Sequence, residues 1–213
     1  MYVRDCMTKN PVTLTPLDSI LDAFGVMKKG NFHRLPIVEN GKIVGLITAS
    51  TLSDFVPSKA TTLAVYEVNS ILAKTRCGDI MIKDVETINQ DALLEEAADK
   101  MNQHNITCLP VIDNDNNLVG IITQKVIFAG FIEVQGYYNA GTRVEVIVKE
   151  DKVGILKDLV SLFTDAGMSI SHLVVERNAD NLIIVVRVSE SNINKVADVL
   201  KGKYEIADIR TTA

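Results

Sequence analysis

Apolar positions along this chain fall into runs, and one composite pattern occurs twice. Leu35-Pro36-Ile37-Val38 is followed, past Asn40-Gly41, by Ile43-Val44-Gly45-Leu46-Ile47-Thr48. Leu109-Pro110-Val111-Ile112 is followed, past Asp115-Asn116-Asn117, by Leu118-Val119-Gly120-Ile121-Ile122-Thr123. Each reads as a β-hairpin that is apolar on both strands and closed by a polar turn. Such a hairpin needs cover on both faces. Ahead of the first copy, Ile20, Leu21, Phe24 and Met27 recur at helical spacing and predict one buried helix face. Thr15-Pro16 is expected to cap that helix, and Lys28-Lys29-Gly30 to end it. Residues 3–7 read as a short helix and 11–14 as an extended piece. Residues 49–52 are expected to open another helix, with Thr48 at its N-terminus. A helix start offers unpaired N–H groups to an anion.

A shift of 74 residues lays the first pattern on the second. Asp5-Cys6-Met7 meets Asp79-Ile80-Met81, Thr13 meets Thr87, Ile20 meets Leu94, Phe24 meets Ala98, Met27 meets Met101 and Pro36 meets Pro110. One extra residue in the second hairpin turn makes the shift 75, and then Gly45 meets Gly120 and Thr48 meets Thr123. One supersecondary unit has been used twice, and two copies can bury their apolar faces against each other about a pseudo-twofold axis. Between them, Leu63, Val68, Ile71 and Leu72 give a loose helical pattern capped at Thr61 or Thr62.

From residue 142 the pattern changes. Val144, Val146 and Val148 alternate with Arg143, Glu145 and Ile147, which predicts a half-buried strand. Ile155, Leu156, Leu159, Leu162 and Phe163 form a helical stripe ended by Ala166-Gly167. Strands over 170–176 and 181–188 flank a turn at Arg177-Asn178-Ala179-Asp180. A helix over 191–201 turns Ile193, Val196, Ala197 and Leu200 inward, and a strand over 204–209 closes the chain. The order βαββαβ predicts a four-stranded antiparallel sheet with both helices on one face. The expected divisions are 1–60 and 77–130 for the repeats, 61–76 for the connecting helix, a Gly- and Tyr-containing hinge over 131–141, and 142–213 for the last domain. The fold class is α+β to α/β.

Composition narrows the function classes. The chain has 213 residues, 47% of them apolar, and a net charge of −5. Lys and Arg do not outnumber Asp and Glu in either half, which argues against a nucleic-acid partner. No apolar run is long enough to span a membrane, and no signal pattern opens the chain, so a cytoplasmic protein is expected. Cys6, Cys77 and Cys108 are odd in number and far apart, and His33, His104 and His172 are scattered, so neither a disulfide frame nor a metal site is expected. No GxSxG, HExxH, GxxxxGK[ST] or GxGxxG motif is present, and a catalytic role is not expected.

Leu-Pro-(Val/Ile) followed by Gly-(Leu/Ile)-Ile-Thr, twice in order, resembles a tandem pair of cystathionine-β-synthase (CBS) motifs. The resemblance covers about residues 1–130 and implies a sensor of adenine nucleotides such as AMP, ATP or S-adenosylmethionine. It implies one cleft built from Val12, Thr13, His33, Arg34, Pro36, Ile47 and Thr48, and another from Glu86, Thr87, Thr107, Cys108, Pro110, Ile122 and Thr123. Apolar strand residues would sandwich the purine, Thr48 or Thr123 would meet a phosphate, and Arg34 or Lys125 would add charge. The family's ribose-binding Asp falls at positions 51 and 126, where this chain has Thr51 and Val126. Loss of a charged acceptor costs about 1.5–3 kcal/mol. With Glu86 and Cys108 in the second cleft, binding is expected to favour the first.

Asp151-Lys152-Val153-Gly154-Ile155-Leu156 followed by Ala166-Gly167-Met168-Ser169-Ile170 resembles an ACT domain, a small module with a ferredoxin-like fold that often senses amino acids. It implies a site where Asp151, Gly154, Ile155 and Leu156 face Met168, Ser169 and Ile170 of a partner. The whole arrangement is similar to acetoin-utilisation AcuB-type proteins. Both modules imply a homodimer, a small-molecule effector and an unidentified target protein, with no cofactor required. The alternative is a dimerising scaffold whose ligand sites have degenerated.

Overall fold

In a computed structural model that describes residues 1–55, 65–177 and 181–212, the chain divides into two compact units, residues 1–127 and 128–213. In chain order the first run of elements is α1 (Val3–Cys6), β1 (Thr8–Lys9), α2 (Ile20–Gly30), β2 (Arg34–Glu39), β3 (Lys42–Thr48), α3 (Ala49–Phe55) and α4 (Val65–Lys74). There follow α5 (Cys77–Ile80), β4 (Ile88–Asn89), α6 (Leu94–Gln103), β5 (Cys108–Ile112), β6 (Leu118–Thr123) and α7 (Gln124–Val134). The expected caps at Thr61 and Thr62 lie outside the described residues.

Both hairpins form as expected. β2 pairs with β3 and β5 with β6, both antiparallel. Asn40 and Gly41 take positive φ, 52° and 81°, as a tight turn of the mirror-image type requires. The helix start differs from expectation. Ser19, not Thr15, caps α2: its Oγ accepts from Asp22 N–H at 3.1 Å, and the Asp22 carboxylate accepts from Ser19 N–H at 3.2 Å. This reciprocal pair satisfies two otherwise open donors. Thr15 instead anchors a turn through the Asp18 carboxylate. The left-handed residue at the helix end is Asn31, not Gly30. The buried face is Ile20, Ala23 and Met27, and Leu21 points outward because it lies about 100° round the helix from Ile20.

The repeats exchange their leading segments. α1 and β1 precede the first hairpin but pack on the second. Val3, fully buried, joins a core of Ile88, Leu94, Ala97, Met101, Leu109, Val111 and Ile122. β1 adds to the edge of β6, pairing Thr8 with Ile121 and Lys9 with Gly120. Reciprocally, Cys77 and Ile80 of α5 join the core of Ile20, Ala23, Met27, Leu35, Ile37, Ile47, Leu52 and Leu72. Leu46 and Ile82 exchange N–H···O bonds of 3.0 Å in both directions. The backbone bonds that hold α1 and α5 obey the 74-residue shift: Val3 N–H donates to Ala92 and Arg4 N–H to Gln90, while Cys77 N–H donates to Asp18 and Gly78 N–H to Pro16. Gly45 and Gly120 are required because Met81 and Met7 of the exchanged segments lie where a Cβ would stand. Burial pushes the Cys77 thiol up to about 11, with Asp18 and Asp22 adding to the shift, so it is a neutral core group.

The second unit contains β7 (Gly141–Val148), α8 (Ile155–Asp165), β8 (Ile170–Arg177), β9 (Leu182–Val188), α9 (Ile193–Leu200) and β10 (Glu205–Thr212). The sheet order is β10-β7-β9-β8, all antiparallel, so the expected βαββαβ order forms. The last strand is longer than the expected 204–209, with a bulge between Ile206 and Asp208. Val144, Val146, Ile184, Val186, Leu159, Phe163, Val196 and Leu200 make its core. The opposite sheet face carries Arg143, Glu145, Arg187 and Asp208. Arg143 pairs with Glu145 at 2.6 Å and with Asp208 at 3.6 Å. The expected hinge over 131–141 begins inside α7. Past the helix end, Gln135 O accepts from Arg187 Nε at 2.8 Å, and Gly136 sits against the His172 ring. Burial and then the neighbouring Arg143 push the Arg187 guanidinium down from its ordinary value.

Val3→Ala is expected to cost about 2 kcal/mol. Hydrogen exchange should register the loss around Met101, Leu109 and Ile122 of the second repeat, rather than around Leu35 and Ile37. Gly141→Ala should lose more than about 2 kcal/mol in thermal unfolding, because Gly141 has φ 140° and a Cβ there would overlap the Val188 carbonyl.

Candidate ligand clefts

Exchange of the leading segments produces two clefts within the first unit, each lined by both repeats. The first cleft, about 330 Å³, is lined by Thr8, Asn10, Pro11 and Val12, by Asn31 to Arg34, and by Ile121 and Thr123. The second, about 390 Å³, is lined by Ile82, Asp84, Val85 and Glu86, by Asn105 to Cys108, by Leu46 and Thr48 to Ser50, and by His33 and Arg34. Both volumes fall within the usual small-molecule range of ~300–1,000 Å³.

Every residue of the first lining has its counterpart in the second, which adds His33, Arg34, Ala49 and Ser50. A shift of 74 takes Thr8, Asn10, Pro11 and Val12 to Ile82, Asp84, Val85 and Glu86, and takes 31–34 to 105–108. A shift of 75 takes Ile121 and Thr123 back to Leu46 and Thr48. The two expected residue sets are therefore regrouped. Val12, His33 and Arg34 share a cleft with Thr123, not with Thr48. Glu86, Thr107 and Cys108 share one with Thr48, not with Thr123. The cause is the exchange: the extended piece before each α2-type helix lies beside the other repeat's last strand.

Strand alternation corrects another expectation. Ile47 and Ile122 are fully buried in the two cores, and their neighbours Leu46 and Ile121 face the clefts. Successive strand residues point to opposite faces, so a shift of one residue changes the wall. Pro36 and Pro110 are buried in the strands and do not line either cleft, and Thr13, Thr87 and Lys125 are also outside the linings. The Thr87 carbonyl accepts from Lys100 Nζ at 2.8 Å.

Polar chemistry differs between the clefts. Thr48 Oγ1 lies 2.8 Å from both Ser50 Oγ and Thr51 Oγ1 and accepts from Thr51 N–H at 3.1 Å. Thr51 thus supports Thr48 without lining the cleft. Val126 packs against the second core and offers no acceptor. Arg34 donates through Nη2 to the Thr107 hydroxyl, across the pseudo-twofold axis. Glu86 pairs with Lys100 at 2.7 Å, with His104 Nδ1 at 3.5 Å. The hydrogen bond from Lys100 holds the Glu86 carboxyl below its ordinary value. Burial pushes the Cys108 thiol up, partly opposed by Arg34. Among the described residues, no group of three or more His, Cys, Asp or Glu could hold a metal ion, and no helix is long and apolar enough to cross a membrane.

A family model described as CBS domain matches residues 3–58 and 77–131. The chain belongs to the CBS-domain family. Its CBS pair is similar to that of protein MJ0100 solved in complex with 5′-methylthioadenosine and S-adenosyl-L-methionine: 30% identity, TM-score 0.50, covering 62% of this chain and 95% of the other. It is also similar to a Vibrio cholerae protein described as an acetoin utilization protein (AcuB): 31% identity, TM-score 0.53, covering 64% of this chain and 96% of that one. Among curated relatives, the L-aspartate semialdehyde sulfurtransferase of Methanocaldococcus jannaschii is 32% identical over 124 residues, 58% of this chain. That match spans 22% of the sulfurtransferase, so the chain is similar to a minor part of a longer protein.

The Glu86 carboxyl is expected to titrate below an ordinary glutamate by carboxyl-carbon NMR, and Lys100→Met should move it back up. Because its folded value is lowered, the Lys100 contact stabilises the fold above the ordinary glutamate value and is lost as pH falls through the lowered one.

Proposed function

We propose that this chain is a non-catalytic regulatory protein that senses an adenosine-containing small molecule in the clefts between its CBS repeats. The observation that carries this reading is the repeat-related correspondence of two small-molecule-sized clefts, each drawn from both repeats. A ligand there touches both halves of the pair, so its binding energy favours one relative setting of them. Support comes from the CBS pair of MJ0100, whose complex holds 5′-methylthioadenosine and S-adenosyl-L-methionine. In the first cleft, Val12, Pro11 and Ile121 offer apolar walls to a purine, and Arg34 and Thr123 offer donors to an anionic tail. The second cleft uses Leu46, Ile82 and Val85 as walls, with Thr48 and Thr107 as hydroxyls.

A second ligand reading applies to the βαββαβ unit, which we take as ACT-like. A cleft of about 290 Å³ is lined by Asp151, Lys152, Gly154, Ile155, Leu156, Val175, Arg177 and Leu182. Arg177 Nη2 lies 3.2 Å from Asp151 Oδ2, so a cation and an anion stand together at its rim, the pair that an amino-acid zwitterion needs. Met168, Ser169 and Ile170 do not line this cleft within one chain, and their role belongs to a homodimer if one forms across that edge.

Calorimetry with AMP, ATP, S-adenosylmethionine and 5′-methylthioadenosine tests the sensor reading. At least one is expected to bind, and at a hundred times its Kd to add about 2.7 kcal/mol to stability. Thr123→Ala and Arg34→Ala should weaken the same nucleotide, with Thr48→Ala leaving that site intact. Flat titrations across all four ligands would leave the dimerising scaffold as the better account. A panel of amino acids tests the second site, and silence across the panel would remove it.

A further inference from the structure

We propose that Arg34 is shared between the two clefts, so that the chain holds one phosphate-bearing ligand at a time, in the first cleft. The second cleft then takes an uncharged or cationic adenosine ligand. This rests on the adenosine-sensing reading above and adds a charge rule to it.

Symmetry alone would give each position before Leu-Pro to a single cleft, as it does for Thr107 and Cys108. His33 and Arg34 break this rule and line both clefts. Arg34 reaches over the axis to the Thr107 hydroxyl. Nothing in the second repeat reaches back in kind, because Cys108 stands where Arg34 would be.

Carboxylates are also unevenly placed. The described lining of the first cleft has no Asp or Glu. At the matching positions of the second, Asn10 is replaced by Asp84 and Val12 by Glu86. Lys100 does not line the second cleft, and its ammonium is already engaged by Glu86 and the Thr87 carbonyl. Arg34 is thus the only Lys or Arg in either described lining.

A phosphate in the first cleft draws the guanidinium toward itself and away from Thr107. The second cleft is then left with Asp84 and with a Glu86 whose charge Lys100 partly offsets, a balance that disfavours a second phosphate and suits a sulfonium, an amine or a neutral 5′ group. By reciprocity, a phosphate placed in the second cleft would weaken the first.

The test is calorimetric stoichiometry on the full chain, with AMP as the anionic probe and 5′-methylthioadenosine as the uncharged one. Wild type is expected to bind one AMP per chain, and AMP-saturated protein to bind one 5′-methylthioadenosine without releasing AMP. Arg34→Ala should weaken AMP about tenfold or more while shifting 5′-methylthioadenosine less than about twofold, with Arg34→Lys recovering part of the AMP affinity. The double variant Asp84→Asn with Glu86→Gln keeps Arg34 and should admit a second AMP about tenfold more tightly than wild type does. Two AMP per chain of equal affinity in wild type would overturn the shared-arginine rule while leaving the sensor reading intact. So would equal losses of AMP and 5′-methylthioadenosine in Arg34→Ala. If neither ligand binds, the sensor reading fails and this inference with it.

Discussion

Leu46 and Ile82 exchange backbone hydrogen bonds across the two repeats, and Thr8 pairs with Ile121 in the same way on the other side. Everything else in the first unit follows from this crossing. A two-stranded apolar hairpin leaves open edges and an uncovered face. The leading segment of the other repeat meets the edge, as strand β1 on β6 and as the single Ile82 bridge on β3, and fills the core with Val3 or Cys77. Neither repeat can complete its core alone, so the pair folds as one body. The clefts are a by-product of the same crossing, since the chain between the exchanged strand and its own helix must pass beside the partner hairpin. A ligand seated there necessarily bridges both halves, which gives a sensor its lever.

The two repeats match where they pack and diverge where they meet solvent or ligand. Ile20 and Leu94, Ala23 and Ala97, and Met27 and Met101 are buried in both copies. Leu17 and Leu21 are exposed in the first, where the second has Asp91 and Glu95. Arg34 faces Cys108 in the correspondence, and Val12 faces Glu86. Core volume tolerates little change, whereas a cleft wall can change charge at small cost to the fold. Duplication therefore supplied two equivalent cavities, and substitution made them chemically unlike.

The second unit solves a different problem. Its sheet buries one face under α8 and α9. On the other face, Arg143 pairs with Glu145 and Asp208, Asp208 also takes Arg210, and Arg187 is capped by the Gln135 carbonyl. The segment after α7 is thus tied to the sheet by a charge-assisted hydrogen bond and by the close seat of Gly136, which has φ 63° and no side chain to clash with His172.

The sequence by itself determined the duplication, both hairpins, the Asn40-Gly41 turn and the βαββαβ order, because periodicity and turn chemistry are local properties. The resemblance to CBS motifs, carried by that duplication, pointed to Val12, His33, Arg34, Thr48 and Thr123, and all five line a cleft. It did not determine which threonine serves which cleft, because exchange of segments is a long-range choice with no local signature. Nor did it settle the parity that buries Ile47 and Ile122 and turns Leu46 and Ile121 outward, since both strand faces are apolar. Only the tertiary structure decided these, through the backbone pairing that sets each strand's register against its neighbour.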